Sequence, residues 1–99
     1  MVRVRKPSRQ SLAVLACLAE SGTGWSYGLE IAERTGLKSG SLYPILIRLA
    51  ERGLLESQWM EPAGPGRPPR HAYRLLPAGR AVLAAAEAPP VAGVREALA

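Results

Sequence analysis

"SGSLYPILIRLAERGLL", from Ser39 to Leu55, is the stretch on which the fold turns. Leu42, Ile45, Leu46 and Leu49 follow the i, i+3, i+4, i+7 spacing that puts apolar side chains on one face of a helix. Pro44 interrupts that pattern, although proline lacks an amide hydrogen and its ring crowds the preceding turn. The conflict eases if Pro44 lies close to the helix start. With Ser41 as N-cap, Pro44 is the third helical residue and its amide had no intrahelical partner to lose. With Ser39 as N-cap it is the fifth, and one bond is lost. Periodicity does not choose between the two. In both cases the disturbance sits at the N-terminal end, while the packing face continues to a stop at Gly53.

Upstream, Ser8 is placed to cap a helix running to about Ser21, where Gly22 ends it. Leu12, Leu15, Ala16 and Ala19 form its expected apolar face. "SGTGWS" then reads as a turn. Ser26 is placed to cap a second helix, from Tyr27 to about Thr35, closed by Gly36. Leu29, Ile31 and Ala32 are its apolar residues, with Glu30, Glu33 and Arg34 facing water. Lys38, Ser39 and Gly40 make the next turn. Two short helices joined by a tight turn, the second amphipathic, form a helix-turn-helix pattern.

Downstream, "LLESQWM" (Leu54 to Met60) suits a strand. "EPAGPGRPP" (Glu61 to Pro69) holds four prolines and two glycines and cannot be regular structure. "RHAYRLL" (Arg70 to Leu76) is again strand-like, with Tyr73 and Leu75 on one side. This is a β-hairpin with Arg67 at its tip, and a hairpin directly after a helix-turn-helix is a wing. Pro77 occupies the favoured first position of a further helix, and alanine-rich "AGRAVLAAAEA" continues it until Pro89 and Pro90. The fold class is therefore mainly α with a small β-hairpin: a winged helix-turn-helix of three helices plus wing and a short C-terminal helix. Residues 1–76 form the winged domain with a basic N-terminal arm. Residues 77–99 form a short helical segment expected to serve dimerisation.

With 99 residues and 47% hydrophobic content, the chain supports one small domain, for which a partner subunit would add buried surface. No run approaches the roughly 18 apolar residues a membrane helix needs. Basic "MVRVRKPSRQ" followed by "SLAVLACLA" superficially resembles a secretory signal, but the apolar run is short and ends at Glu20 without a cleavage site. A cytoplasmic location is expected. Cys17, the only cysteine, falls in an apolar helical pattern and reads as a core thiol. The thirteen Lys and Arg outnumber eight acids, all Glu, for a formal charge of +5. Arg3, Arg5, Lys6 and Arg9 crowd the start, and Arg67, Arg70 and Arg74 crowd a second segment near His71. Two basic clusters around a compact middle suit a polyanion.

An enzyme is a poor reading: the chain has no Asp, one His and one Cys, no phosphate-binding loop after a strand, and no framed pair of acids. No cofactor is expected, and one Cys with one His cannot build a four-ligand metal site.

"YGLEIAERTGLKSGSLYPILIRLAERGLLESQW" followed by "GRPPRHAYRLLPAGRAVL" resembles the PadR family of bacterial transcriptional regulators. The likeness covers roughly Leu12 to Leu83. Gly40-Ser41-Leu42-Tyr43-Pro44, then Leu49 and Gly53 to Glu56, carry most of it; Gly66-Arg67-Pro68, Tyr73-Arg74-Leu75 and Gly79-Arg80 add to it. The resemblance implies a dimer that binds operator DNA, represses nearby genes and often responds to small aromatic or drug-like compounds. Three departures stand out. The family's His-Gly-Tyr is Tyr27-Gly28-Leu29 here, so a DNA contact by the family's tyrosine does not transfer to Leu29. Leu76 replaces the family's Thr before the proline, a lost cap of ~1 kcal/mol. The C-terminal helix is alanine-rich and cut at Pro89-Pro90, where the family's is longer.

The third helix is expected in the major groove of double-stranded DNA, N-terminal residues toward the base edges. Ser41, Pro44, Arg48 and Arg52 project away from the core face, and Tyr43 and Ile47 lie at its boundary. Ser39 and Ser41 stand at the helix start, where free amides and the positive dipole end favour a phosphate, and Lys38 adds a charge. Ser39 serves equally as an N-cap. Tyr43 has the alternative of packing on the second helix with its hydroxyl on a phosphate. Arg48 is the leading base or phosphate contact, and Pro44 suits a thymine methyl. Arg67 and Arg70 belong to the wing, and Tyr27 opens the second helix. Trp25 and Trp59 read as core or wing-base packing; with Leu15 and Leu83 they offer the material for a small aromatic or hydrophobic effector at a homodimer interface. The alternative function is a winged helix used for protein contact, against which the basic wing and polar helix face argue.

Overall fold

The computed structural model describes residues 7–62 and 64–87. Ser8 adopts an extended conformation, and its hydroxyl accepts the Ser11 amide at 3.1 Å. That cap starts α1, Arg9–Glu20. Gly22, at φ 62°, takes the left-handed conformation that turns the chain out of the helix. The buried side of α1 is Ser11, Val14, Leu15, Cys17 and Leu18. Leu12, Ala16 and Ala19, expected on the central face, lie at its edge, half-buried against the core. The shift has a packing cause: Val14 and Leu18 carry more volume than the alanines and take the deepest positions.

Ser26 does not cap the second helix. Ser26–Tyr27 forms a short strand, β1, and Tyr27 is the N-cap of α2, Gly28–Thr35. Ser26 is buried, and its hydroxyl lies 2.6 Å from that of Ser21. The Glu30 carboxylate accepts the Tyr27 amide at 3.0 Å, holding one otherwise unpaired donor at the helix start. Gly36, at φ 76°, closes α2. Of the three apolar residues expected on its core face, Ile31 is fully buried and Ala32 half-buried. Leu29 is 72% exposed, which corrects its assignment to the core.

Helix α3 spans Ser39–Glu51 and buries Leu42, Ile45, Leu46 and Leu49. Its N-cap is Lys38, not Ser39 or Ser41. The Lys38 carbonyl accepts the amides of Ser41 and Leu42 at 2.9 and 2.8 Å, which draws both serines into the first turn. Pro44 is thus the sixth helical residue, and the bond it cannot donate is the one to the Gly40 carbonyl. Gly53, at φ 76°, ends the segment.

Strands β2 (Leu55–Met60) and β3 (Arg70–Leu75) pair antiparallel from Leu55↔Leu75 to Met60↔Arg70. Strand β1 adds to the other side of β3 through Ser26↔Tyr73 and Tyr27↔Ala72, giving the order β1-β3-β2. Helix α4, Pro77–Glu87, begins on Pro77 as expected and packs on α1. Its Arg80 guanidinium reaches the Gly22 carbonyl. Leu76 donates its amide to the Leu54 carbonyl at 3.1 Å, tying the end of the hairpin to its start. The core unites Val14, Leu15, Leu18, Ile31, Leu42, Leu46, Leu55, Tyr73 and Leu75, with Leu83 of α4 closing it.

Four helices and a three-stranded antiparallel sheet make this a winged helix-turn-helix, with a small third strand as the one addition to the expected architecture. The N-terminal residues Arg3, Arg5 and Lys6 and the segment from Ala88 onward lie outside the described residues. Among the described residues no helix is long and apolar enough to cross a membrane. Cys17 is buried as a core thiol, and burial pushes its pKa up, which keeps it protonated and unreactive.

The tightest backbone approach is at Gly79, where a methyl group would overlap the Leu54 carbonyl and the Leu75 side chain. Gly79→Ala is expected to destabilise the fold by about 1–3 kcal/mol, the range for overpacking. Urea unfolding of the two proteins measures it.

Candidate nucleic-acid interface

Burial of four apolar residues fixes which side of α3 meets water. Ser39, Gly40, Ser41, Pro44, Ile47, Arg48, Glu51 and Arg52 are all exposed. Lysine has no acceptor group, so Lys38 cannot cap the helix with its side chain, and none does. With the Ser41 and Leu42 amides held by the Lys38 carbonyl, the Ser39 and Gly40 amides at the helix start have no capping side chain, beside exposed serine hydroxyls and the Lys38 ammonium. That combination suits an anion, since the helix dipole and free N–H groups act together.

Tyr43, 38% exposed, leans from α3 onto α2. Its ring lies over Gly28, where a methyl group would overlap the phenol hydroxyl. Gly28 thus allows the close approach that sets where the Tyr43 hydroxyl ends. Tyr73 is buried close by, and its pKa is pushed up to about 12, by burial first and then by the neighbouring Tyr43. The Tyr73 hydroxyl lies 3.0 Å from His71 Nδ1. Burial lowers the His71 pKa, so the ring is neutral at pH 7, and its tautomer sets which of the two groups donates. His71 also stacks on Trp59, its cross-strand partner, at 4.3 Å between ring centroids. Trp59 itself is 65% exposed and lies one pair from the loop end of the hairpin, which corrects its expected place in the core or at the base of the wing.

The second basic cluster is divided by its surroundings. Arg74 binds Glu56, directly across the sheet, at 2.7 Å and covers the Trp25 ring at 4.6 Å. Arg70 is half-buried with its guanidinium 4.3 Å over the Tyr27 ring. Its Nε has no hydrogen-bond partner among the described residues. Arg67 alone stands exposed at the wing tip, just past Gly66 at φ 77°. Among the expected contacts, Lys38, Ser39, Ser41, Pro44 and Arg48 share the α3 surface. Tyr27, Tyr43 and Arg70 instead gather around a cleft of about 700 Å³ between α2, α3 and the wing, with Leu29, Trp59 and His71. Of the four residues expected to offer material for an effector pocket, only Trp59 lines this cleft, while Leu15 and Leu83 are buried and Trp25 lies against Arg74. A smaller hollow of about 290 Å³ sets Arg48 and Arg52 beside Pro7 and Ser8 at the start of α1.

The family model of the transcriptional regulator PadR-like family matches residues 14–85. The chain belongs to the PadR-like family. Its members are transcriptional regulators and not enzymes. No curated protein sequence matches the chain. A PadR-like transcription factor from Bacteroides fragilis is 26% identical, with a TM-score of 0.68 over 89% of this chain and 84% of that one. Bacillus subtilis PadR, solved in complex with operator DNA, shares the fold at TM-score 0.64 and 21% identity over 78% of this chain. Bordetella bronchiseptica BpsR, whose DNA binding is regulated by 6-hydroxynicotinic acid, gives TM-score 0.66 and 22% identity over 83% of this chain. The chain spans 45% of the Bacillus protein and 58% of the Bordetella protein.

Within this PadR-like chain, two contributions escaped sequence reasoning: β1 and the Trp59–His71 stack. The packing of Tyr43 on the second helix, one of the two readings its sequence position allowed, is the one observed, with Gly28 as its seat. Strand β1 joins residues distant in sequence, and no local pattern signals it. The stack was accessible in principle, since pairing Leu55 with Leu75 sets Trp59 opposite His71. Gly28→Ala is expected to displace Tyr43 and lower the thermal midpoint by several degrees, the shift that about 1 kcal/mol gives a domain of this size. Circular dichroism melts check it, and Tyr43→Phe in the same background separates the clash with the hydroxyl from that with the ring.

Proposed function

We propose that this PadR-like protein is a DNA-binding repressor of nearby genes that works in the cytoplasm as a homodimer, α3 in the major groove and the wing alongside. The observation that carries it is the open N-terminal end of α3, with the uncapped Ser39 and Gly40 amides, the Ser39 and Ser41 hydroxyls and Lys38 on a face whose opposite side is held by the core. Arg48 lies one turn beyond Pro44 on the same exposed side, placed for a base edge or phosphate. Arg67 extends the basic surface at the wing tip. Tyr27, Tyr43 and Arg70 position the junction between α2, α3 and wing, and their exposed edges meet the phosphate backbone. Residues 1–76 form the DNA-binding unit, and residues 77–99 form the dimerisation segment. A small aromatic or hydrophobic effector fits the cleft between α2, α3 and the wing, which the cleft's volume and its Tyr27, Tyr43 and Trp59 lining favour.

The test is fluorescence anisotropy on duplexes selected from a random-sequence pool, titrated in a salt series. Phosphate neutralisation releases counterions, so affinity should drop by about a thousandfold or more between 50 and 200 mM salt if six or more phosphates are contacted. Arg48→Ala should weaken binding and reduce the log–log salt slope by about 1 if its partner is a phosphate, or relax preference at one base pair if it is a base. Affinity indifferent to salt, or an unchanged Arg48→Ala variant with native circular dichroism, would overturn the assignment. Light scattering of the free protein checks the dimer.

A further inference from the structure

The solvent side of α3 is apolar at its centre. At 3.6 residues per turn, Gly40, Pro44 and Ile47 fall on one stripe opposite the buried Leu42, Ile45 and Leu49. All three are exposed, Ile47 at 57%. None carries a side-chain hydrogen-bonding group. A methyl group added at Gly40 would meet nothing within 4 Å, so the stripe is unobstructed from the helix start. Polar side chains stand to its sides: Ser41 and Arg48 on one flank, Tyr43 on the other, Lys38 and Ser39 at the N-terminal end. Glu51 continues the stripe a turn past Ile47. A single exposed isoleucine is ordinary on a protein surface. The informative feature is three successive positions of a reading face that offer no hydrogen bond.

In the major groove, donors and acceptors distinguish bases for polar side chains, and the thymine 5-methyl group is what an apolar side chain recognises. Ile47 lies eight residues past Ser39, about 12 Å along the helix axis, a length comparable with the width of the groove. We infer that Ile47, together with Pro44, reads thymine 5-methyl groups, and that Ile47 is the specificity-determining residue at the centre of the half-site. The inference rests on the placement of α3 in the major groove proposed above. The surrounding charge commits the stripe to DNA over an apolar protein surface: Lys38 and Arg48 border it, and Glu51 is the one acid on α3.

The experiment uses duplexes selected by the full chain from a random-sequence pool, then resynthesised with 2′-deoxyuridine in place of thymidine, one position at a time. This change removes a methyl group and leaves every hydrogen-bonding group in place. Each methyl group buried against Ile47 or Pro44 should be worth roughly fourfold in affinity for the wild-type protein. Ile47→Ala should bind thymidine and deoxyuridine duplexes alike at the central position while keeping its circular dichroism melt. The inference is overturned if deoxyuridine is tolerated at every position of a duplex that binds well, an outcome that leaves DNA binding standing. It is overturned too if the folded Ile47→Ala variant keeps the full discrimination. If no duplex can be selected, this inference and the DNA-binding reading fall together.

Discussion

Everything on the outer surface of α3 follows from the commitment of four side chains on its inner one. Leu42, Ile45, Leu46 and Leu49 are 5% exposed or less and share one core with α1, α2, β2 and α4. Turning the helix by a third of a revolution would bring apolar side chains into water at about 1.5–3 kcal/mol each. A domain of this size has a total stability of only about 5–15 kcal/mol, so the helix has one permitted orientation. The residues presented outward are thereby held on a rigid element, the condition for placing side chains against base edges without further ordering on binding.

The N-terminal end of the same helix is built differently from its middle. A lysine stands where a capping residue would, and Pro44 removes the bond to the Gly40 carbonyl. Both features weaken the first turn, and neither reaches the packing face. The cost is local because Gly40 and both serines are exposed, so water satisfies the freed groups in the absence of a ligand. The first turn of α3 is thus open to a partner that supplies the acceptors a cap would have supplied, while the remaining turns hold the domain together.

The parts of the fold legible in the sequence are those where one local pattern dominates. Apolar spacing set the faces of α3, Ser8 marked the start of α1, and four prolines with two glycines confined the wing tip to a loop. The misplaced features are those decided by a distant partner. Ser26 has the chemistry of a cap, yet β3 offers Tyr73 as a strand partner and takes it into the sheet. Leu29 fits an apolar pattern in so short a helix, but Ile31 already fills the core and Leu29 is left outside. Arg70 and Arg74 look equivalent to Arg67 in sequence. In the fold, alternation along β3 and the register with β2 bring Arg74 to Glu56 and Trp25, while Arg70 covers Tyr27.

That last division changes what the formal charge of +5 means. Arg34 is paired with Glu20, Arg74 with Glu56, Arg80 with the Gly22 carbonyl, and Arg70 lies on an aromatic ring. These four arginines bind α1, α2, α4 and the sheet to one another. Among the described residues, the cations left without such partners are Arg9, Lys38, Arg48, Arg52 and Arg67. Three of them belong to α3 or its cap, Arg67 marks the wing tip, and the hollow joining Arg48 and Arg52 to Pro7 and Ser8 brings Arg9's end of α1 close. Among the described residues, internal pairing therefore leaves most of the unpartnered cations around one helix. In the DNA-reading role proposed above, the cations would steer and the apolar central stripe would select, so attraction to the polyanion and discrimination among its bases would reside on different residues of α3 and could change independently.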